Sequence, residues 1–205
     1  DHPVTNMDCC NAGFTNEGGW NYTTRFLKNI MGMWMLQCIR KETGKAHSYA
    51  EMAEMAAQST YAAYVDATDN RFMAPESMLD EVKAALRDQG SPEPETLADV
   101  LRAVTLGLAV CYRDSIREMG ELTGQTFTSL NIVGGGSQNV VLNRWTADVC
   151  GLPVCAGPTE GTALGNLAAQ MIACGEFADL AAFRAALPAS CEILTYLPGQ
   201  ESPAV

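Results

Sequence analysis

The sequence lacks the surplus of positive charge that binding to a polyanion requires. It has 13 Lys and Arg residues against 24 Asp and Glu residues, a net charge of −11. Nucleic acid and anionic membrane surfaces are therefore not expected partners, because no general positive field is present to neutralise their phosphates. A bound nucleotide would depend on Mg²⁺ and on local hydrogen-bond donors instead.

Metal-ligand patterns are missing as well. The sequence has 2 histidines, and its 8 cysteines include no CxxC pair. Such spacings do not suit a zinc site, so no metal-ligating residue is predicted. Most of the cysteines stand among apolar neighbours, as buried thiols do in a reducing cytosol, and we expect no disulfide framework.

Long apolar runs are the third absence. No segment reaches the roughly 18 residues of a membrane-spanning helix, and no secretory leader precedes the first residue, so we expect a cytoplasmic protein without a membrane span. The content of 47% hydrophobic and 18% charged residues is typical of a globular chain. At 205 residues the chain is long enough for one large domain or two small ones.

The most informative stretch that is present covers residues 130–174. A short apolar run there ends at Gly134, Gly135 and Gly136, and a helical pattern follows at once. Glycine lets a backbone approach phosphate closely, with its amide N–H groups free, and a helix N-terminus adds favourable partial charge. The stretch therefore predicts a nucleotide phosphate loop.

This stretch has two other interpretations. The glycines can serve only the conformation of a strand-to-helix turn. A Rossmann dinucleotide loop is also suggested, because Gly134 and Gly136 form GxG and Glu160 lies downstream. Asn139 stands where the third glycine of that motif belongs, however, so a dehydrogenase is disfavoured.

The other elements are predicted from hydrophobic periodicity, turn signals and helix caps. The N-terminal region predicts a hairpin, with strands at residues 9–15 and 22–30 around a turn at 16–19. Residues 61–69 are predicted to be irregular, with a short strand as the alternative, and a short strand is predicted at 152–156. Helices are predicted at residues 30–41, 48–58, 75–90, 96–120, 140–150, 160–174 and 177–187.

Two polar residues stand out near the first of these helices. The helix at 30–41 is apolar nearly all round, which predicts burial on most sides, so Gln37 must find partners there. A hydrogen bond to a neighbouring loop is favoured over a ligand contact. Asn29 lies at the strand–helix junction, where capping of the helix explains it.

One face of the helix at 160–174 has almost no side chains. Gly161, Gly165 and Ala169 recur there at every fourth residue. This spacing indicates either a closely packed neighbouring element or a flat ligand such as adenine, and close packing is favoured.

Taken together, the motifs resemble the C-terminal domain of the FGGY carbohydrate kinases, and within that family the rhamnulokinase branch. The resemblance is carried by GGGSQN and LNRWTADVCGLPVCAGPTEGTALGNLAAQ, with TNEGG, RFLKNIMGMWMLQ and DNRFMAPESM nearer the N-terminus. It covers nearly the whole chain, from Ala12 to Phe183.

The resemblance implies an actin-like, ribonuclease-H-like α/β fold, with residues 1–205 as the C-terminal, nucleotide-binding domain of a two-domain sugar kinase. It implies transfer of the ATP γ-phosphoryl group to the 1-hydroxyl of L-rhamnulose in rhamnose catabolism, with Mg²⁺ bridging the β and γ oxygens. Gly135, with Gly134 and Gly136 beside it, matches the family's ATP-binding glycine. Gln37 matches the glutamine that contacts ATP, and Asn29 matches the asparagine that contacts the sugar, so both gain a ligand role.

Parts of the family's active site have no match in this chain. The general-base aspartate and the threonine of the first phosphate loop lie upstream of the matched region, so no catalytic residue is assigned. We therefore expect a fragment that lacks the N-terminal sugar-binding domain and does not turn over alone. Lys28 and Arg25 are the basic residues nearest to Asn29, and a surface position is expected for both.

Three alternatives stay open at this point. One is another FGGY kinase, acting on xylulose or glycerol, which the glycine loop allows although Asn29 favours rhamnulose. The second is a non-catalytic, actin-like nucleotide-binding module, which would bind ATP without any dependence on sugar. The third is a degenerate member of the family that has kept the fold and lost the ligand.

Overall fold

Two small sheets and a set of helices form the part of the protein that the computed structural model describes, residues 2–200. The strands are β1 (Phe14–Gly18), β2 (Thr24–Lys28), β3 (Leu130–Ile132), β4 (Val154–Ala156) and β5 (Leu194–Tyr196). The helices are α1 (Met7–Asn11), α2 (Trp34–Glu42), α3 (Tyr49–Gln58), α4 (Met78–Asp88), α5 (Leu97–Thr123), α6 (Val140–Cys150), α7 (Gly161–Ala173) and α8 (Leu180–Ala186). Short 3₁₀ turns lie at Trp20–Tyr22, Asn70–Phe72, Gly135–Gln138 and Leu187–Ala189.

The sheets have different topologies. Strands β1 and β2 form an antiparallel hairpin in which Phe14 pairs with Lys28. The second sheet has the order β3-β4-β5, with β4 parallel to β3 and antiparallel to β5. Parallel β3 and β4 are joined through α6, which is the βαβ unit of α/β proteins. The predicted α/β class is therefore present in the chain.

Helix α5 forms the centre of the hydrophobic core. Its buried face, from Val100 to Cys111, packs with buried side chains of the neighbouring helices. Those partners are Met35, Leu36 and Ile39 of α2, Met52 and Ala56 of α3, Met78, Val82 and Leu86 of α4, and Leu142 of α6. Among residues 2–200, no helix combines the length and apolarity that crossing a membrane needs.

Several predicted boundaries are confirmed by cap geometry. Ser48 and Glu51 form a capping box at the start of α3, and Thr96 and Asp99 form another at the start of α5. Gly151 adopts a left-handed conformation at the end of α6, as a C-terminal glycine does.

Three predicted elements are wrong in detail. The first strand, predicted at 9–15, spans Phe14–Gly18 instead. Residues 9–11 belong to α1, because the Asn6 side chain accepts a hydrogen bond from the Cys9 amide and starts a helix. Helix α2 begins at Trp34 rather than residue 30, since Gly32 has a positive φ of 56°. Helix α4 begins after its N-cap Ser77 rather than at residue 75.

The irregular segment at 61–69 lies directly against the backbone of α5. The Val65 amide donates to the Ala103 carbonyl at 3.4 Å, and Val65 is buried. A Cβ on Gly107 would overlap the carbonyl oxygen of Val65. This close approach of two backbones requires glycine at position 107.

We expect Gly107→Ala to lower the free energy of unfolding by about 1–3 kcal/mol, because one backbone segment must move away from the other. Urea denaturation measures the change. Gly165→Ala in α7 is the matched control, since no atom lies within 4 Å of its added Cβ. It should leave stability unchanged or raise it by up to about 1 kcal/mol. Equal effects at the two positions would contradict this account of the contact.

Asp99 gives a pH-dependent prediction. A hydrogen bond from the Ser59 hydroxyl, at 2.6 Å, and bonds from Thr96 lower the pKa of this carboxyl below its usual value. A lowered folded-state pKa contributes stability that is present above the unfolded pKa of about 4 and is lost as the pH falls through the folded value. Asp99→Asn should therefore destabilise by about 1 kcal/mol at pH 7 and by less at pH 3, as measured by urea denaturation. If Asp99→Asn lowered the free energy of unfolding equally at pH 7 and pH 3, the charge of Asp99 would not contribute to stability.

Candidate functional site

The glycine loop lies at the carboxyl end of β3. Gly134 has a φ of 78°, and its amide donates to the Pro158 carbonyl at 3.1 Å. The chain then makes the 3₁₀ turn Gly135–Gln138 and enters α6. The predicted order of strand, glycine loop and helix is therefore confirmed.

Side chains of the loop and of α6 hold this backbone in place. The Ser137 hydroxyl donates to the Gly134 carbonyl at 2.7 Å. The amide nitrogen of fully buried Asn143 donates to the Ser137 carbonyl at 2.7 Å. The Asn139 side chain accepts from the Leu142 amide at 3.0 Å and caps α6, which accounts for asparagine at this position.

Two amides of the loop are left without partners in the described structure. Within residues 2–200, the N–H groups of Gly135 and Gly136 donate to no protein acceptor. A Cβ on Gly135 would meet nothing within 4 Å, so this residue faces open space. Free amides on an uncovered backbone suit the oxygens of an anion such as phosphate.

A cavity of about 530 Å³ opens beside the loop, a size typical of small-molecule sites. Its wall brings together Gly135, Gly136 and Gln37, three residues of the sequence-based prediction. The wall consists of Met33, Gln37, Tyr49, Ala50, Gly135, Gly136, Gln138 and Asn139. The other two predicted site residues, Gly134 and Asn29, do not line it.

Gln37 is exposed rather than buried. The expectation that α2 is covered on most sides is wrong, because Trp34 and Gln37 are both exposed while Met35, Leu36 and Ile39 face the core. Within the described residues, the Gln37 side chain forms no hydrogen bond to a neighbouring loop. Its amide therefore faces the cavity with its hydrogen-bonding capacity unused.

Asn29 is exposed and follows β2. It is not the cap of α2, as the local sequence suggested, because that helix begins five residues later and has Met33 at its N-cap. Its side chain is available to a ligand, and its contact with sugar stays a prediction.

The basic residues near Asn29 are already paired. Lys28 forms a half-buried salt bridge with Glu118 at 2.7 Å, and Arg25 forms an exposed one with Glu17 at 2.7 Å. The expected surface position is right for Arg25, whereas Lys28 ties the hairpin to α5.

The face of α7 with small residues packs closely at one end only. A Cβ on Gly161 would lie 3.2 Å from Val133, so close packing explains this glycine. Gly161, Gly165 and Ala169 all line a separate, largely apolar cavity of about 430 Å³, and a Cβ on Gly165 would meet nothing within 4 Å. Glu160 is the N-cap residue of α7, and its side chain makes no capping bond.

The hydrogen-bond donors of the wall are amide groups and the Tyr49 hydroxyl. Its side chains include no carboxylate and no imidazole. Within residues 2–200, no group of three or more His, Cys, Asp or Glu side chains could hold a metal ion. The wall fits phosphate oxygens better than it fits a metal ion.

Two cysteines outside the wall have raised pKa values. Burial raises the pKa of Cys150 to about 11, and it raises the pKa of Cys111, so these thiols stay protonated near neutral pH.

Five residues of the wall were not identified from the sequence. They are Met33, Tyr49, Ala50, Gln138 and Asn139. Gln138 and Asn139 lie within three residues of Gly136 and could have been included on that ground. No local signal places Met33, Tyr49 or Ala50 against a loop about 100 residues away in the chain.

Comparison with known proteins identifies the domain. The model of the FGGY family of carbohydrate kinases, C-terminal domain, matches residues 1–174. A rhamnulokinase from Pectobacterium carotovorum subsp. carotovorum (strain PC1) is 41% identical over 202 residues, which cover 98% of this chain and 41% of that protein. A rhamnulokinase from Oceanobacillus iheyensis is 37% identical over 194 residues, or 95% of this chain and 41% of that protein.

The chain thus spans about two fifths of the length of the curated relatives that it matches. A solved xylulose kinase from Bifidobacterium adolescentis is 20% identical, with a TM-score of 0.46 over 70% of this chain and 28% of that one, a likeness too slight to support a conclusion. The family match covers the hairpin, the core helices, the glycine loop and α7. The chain therefore belongs to the FGGY family of carbohydrate kinases and contains that family's C-terminal domain.

Proposed function

We propose that this chain is the ATP-binding half of a kinase that phosphorylates L-rhamnulose to L-rhamnulose 1-phosphate. The observation that carries the proposal is the meeting of Gln37 with Gly135 and Gly136 in one cavity. Membership of a carbohydrate kinase family supports the reaction type, and relatives named rhamnulokinase, 37% and 41% identical, support the sugar. A cytoplasmic location is part of the same proposal.

The glycine loop would hold the phosphates. The free N–H groups of Gly135 and Gly136 would donate to phosphate oxygens, and the positive φ of Gly134 turns the chain into this position. The loop lies ahead of α6, whose N-terminal end adds favourable partial charge. This local arrangement would hold an anion in spite of the net charge of −11.

Gln37 and Asn29 would contact different parts of the reactants. Gln37 faces the cavity with an unused amide and can bind ATP there. Asn29 lies outside the cavity wall, at the end of β2, and its exposed side chain would contact the sugar. Phosphoryl transfer depends mainly on positioning and charge stabilisation, which such contacts supply.

The base and the metal ligands would come from outside this wall. A sugar hydroxyl needs a carboxylate to accept its proton, and no side chain of the wall is a carboxylate. We assign the base to an N-terminal domain of the same protein. Mg²⁺ would be held by ATP oxygens and water rather than by the wall, because magnesium prefers oxygen ligands and retains several waters.

We expect Gly135→Asp to abolish or greatly weaken ATP binding, because the new carboxylate would repel the phosphates. Calorimetric titration of the chain with ATP and Mg²⁺ measures the effect. The variant should fold normally, since a Cβ at this position meets nothing within 4 Å and the residue has no positive φ. A loss of binding would therefore report on the site rather than on the fold.

Gly18→Asp is the matched control for this test. It introduces the same charge on β1, at a position where an added Cβ is also free of neighbours, and it lies outside the cavity wall. It should bind ATP like the unmodified chain. Equal ATP affinities of the Gly135→Asp and Gly18→Asp variants would show that the glycine loop does not bind the phosphates.

We expect no L-rhamnulose-dependent release of ADP from the isolated chain, because its cavity contains no base.

Fusion to the N-terminal region of the Pectobacterium relative should restore L-rhamnulose-dependent ADP release. The Asn29→Ala variant of the fusion should have a raised KM for the sugar. Coupled measurement of ADP, with xylulose and glycerol as competing substrates, tests the assignment. Turnover by the isolated chain would refute the assignment of the base to an N-terminal domain. Preference for another sugar would refute the assignment of L-rhamnulose as the substrate.

A further inference from the structure

Tyr49 is an exposed aromatic residue in the wall of the glycine-loop cavity. It is the first residue of α3, and the residue is 46% exposed. The capping box fixes the backbone at this point, because the Ser48 amide donates to Glu51 at 2.7 Å and the Glu51 amide donates to Ser48 at 3.2 Å. The ring therefore projects from a rigid helix start.

Arg40 covers one face of this ring. Its guanidinium carbon lies 4.9 Å from the centroid of Tyr49, within cation–π distance. The Arg40 Nε donates to the His47 carbonyl at 2.8 Å, which holds the guanidinium in this position. Arg40 thus occupies one face of the ring and leaves the opposite face and the edge for other contacts.

The cavity has two chemically different parts. Tyr49, Met33 and Ala50 supply an apolar part, while Gly135, Gly136 and the amide side chains supply a polar part. The two parts adjoin, because the Met33 side chain would lie 3.8 Å from a Cβ on Gly136. A ligand that matches this wall has a flat apolar group joined to an anionic group, as a nucleotide has.

We propose that Tyr49 binds the purine base of ATP by stacking, with Arg40 fixing the ring from behind. The proposal rests on the proposed function, since it assigns the phosphates to the glycine loop of the same cavity. Aromatic rings bind bases in this way because both present flat, polarisable faces, and the resulting preference for a base is independent of phosphate contacts. Tyr49 thus fixes the position of the base while the glycine loop binds the phosphates.

The test compares a ligand that has a base with one that has none. ATP and inorganic tripolyphosphate, each with Mg²⁺, are titrated calorimetrically into the chain and its variants. We expect Tyr49→Ala to weaken ATP binding about tenfold, as loss of one stacking contact does, and to leave tripolyphosphate binding unchanged. Tyr49→Phe keeps the ring and should bind ATP within about twofold of the unmodified chain, because stacking does not use the hydroxyl.

Tyr64→Ala is the matched control. Tyr64 is similarly exposed, at 41%, and lines a different cavity. This variant should bind both ligands like the unmodified chain. Circular dichroism melts of each variant show whether any loss of affinity comes from unfolding.

Each result decides the question. Unchanged ATP affinity in Tyr49→Ala refutes stacking while leaving the nucleotide function intact. A loss that is equal for ATP and tripolyphosphate refutes it too, because the base is then not involved. No ATP binding by the unmodified chain refutes both this inference and the proposed function.

Discussion

The packing of four other helices against α5 holds the hydrophobic core together. Helix α5 buries side chains against α2, α3, α4 and α6. The irregular segment at 61–69 also contacts the backbone of α5, through the hydrogen bond from Val65 to Ala103. Gly107 makes the second contact possible, and the salt bridge from Lys28 to Glu118 attaches the N-terminal hairpin to the same helix. Helix α5 therefore fixes the relative positions of the elements that form the cavity, although none of its own residues lines the cavity.

The candidate site is assembled from segments that are far apart in sequence. The glycine loop follows β3, whereas Gln37 lies on α2 and Tyr49 begins α3. Both helices pack on the common core through their buried residues, and their exposed residues are left to face the loop. A nucleotide in this cavity would contact both helices and the loop at once.

The local elements were largely predictable, because their signals are local. Capping boxes at Ser48 and Thr96 and the glycine at 151 mark helix ends by hydrogen bonding and backbone conformation. The predicted α/β class is confirmed by the parallel β3–β4 pair joined through α6, and the predicted family is confirmed by the family match. The predicted start of the first strand was wrong, because the Asn6 cap starts a helix there and the strand begins only at Phe14.

The cavity was less predictable, since it depends on tertiary packing. Apolar residues occur on all sides of α2, so the sequence predicted burial for a side that is exposed in the structure. A ligand role for Gln37 could therefore be predicted only from the resemblance to a family. Nothing local indicates that Tyr49 meets the loop. The free amides of Gly135 and Gly136 lie between amides that are already bonded, at Gly134 and Ser137. The loop thus has its shape before any ligand arrives, and little conformational entropy would be lost on binding.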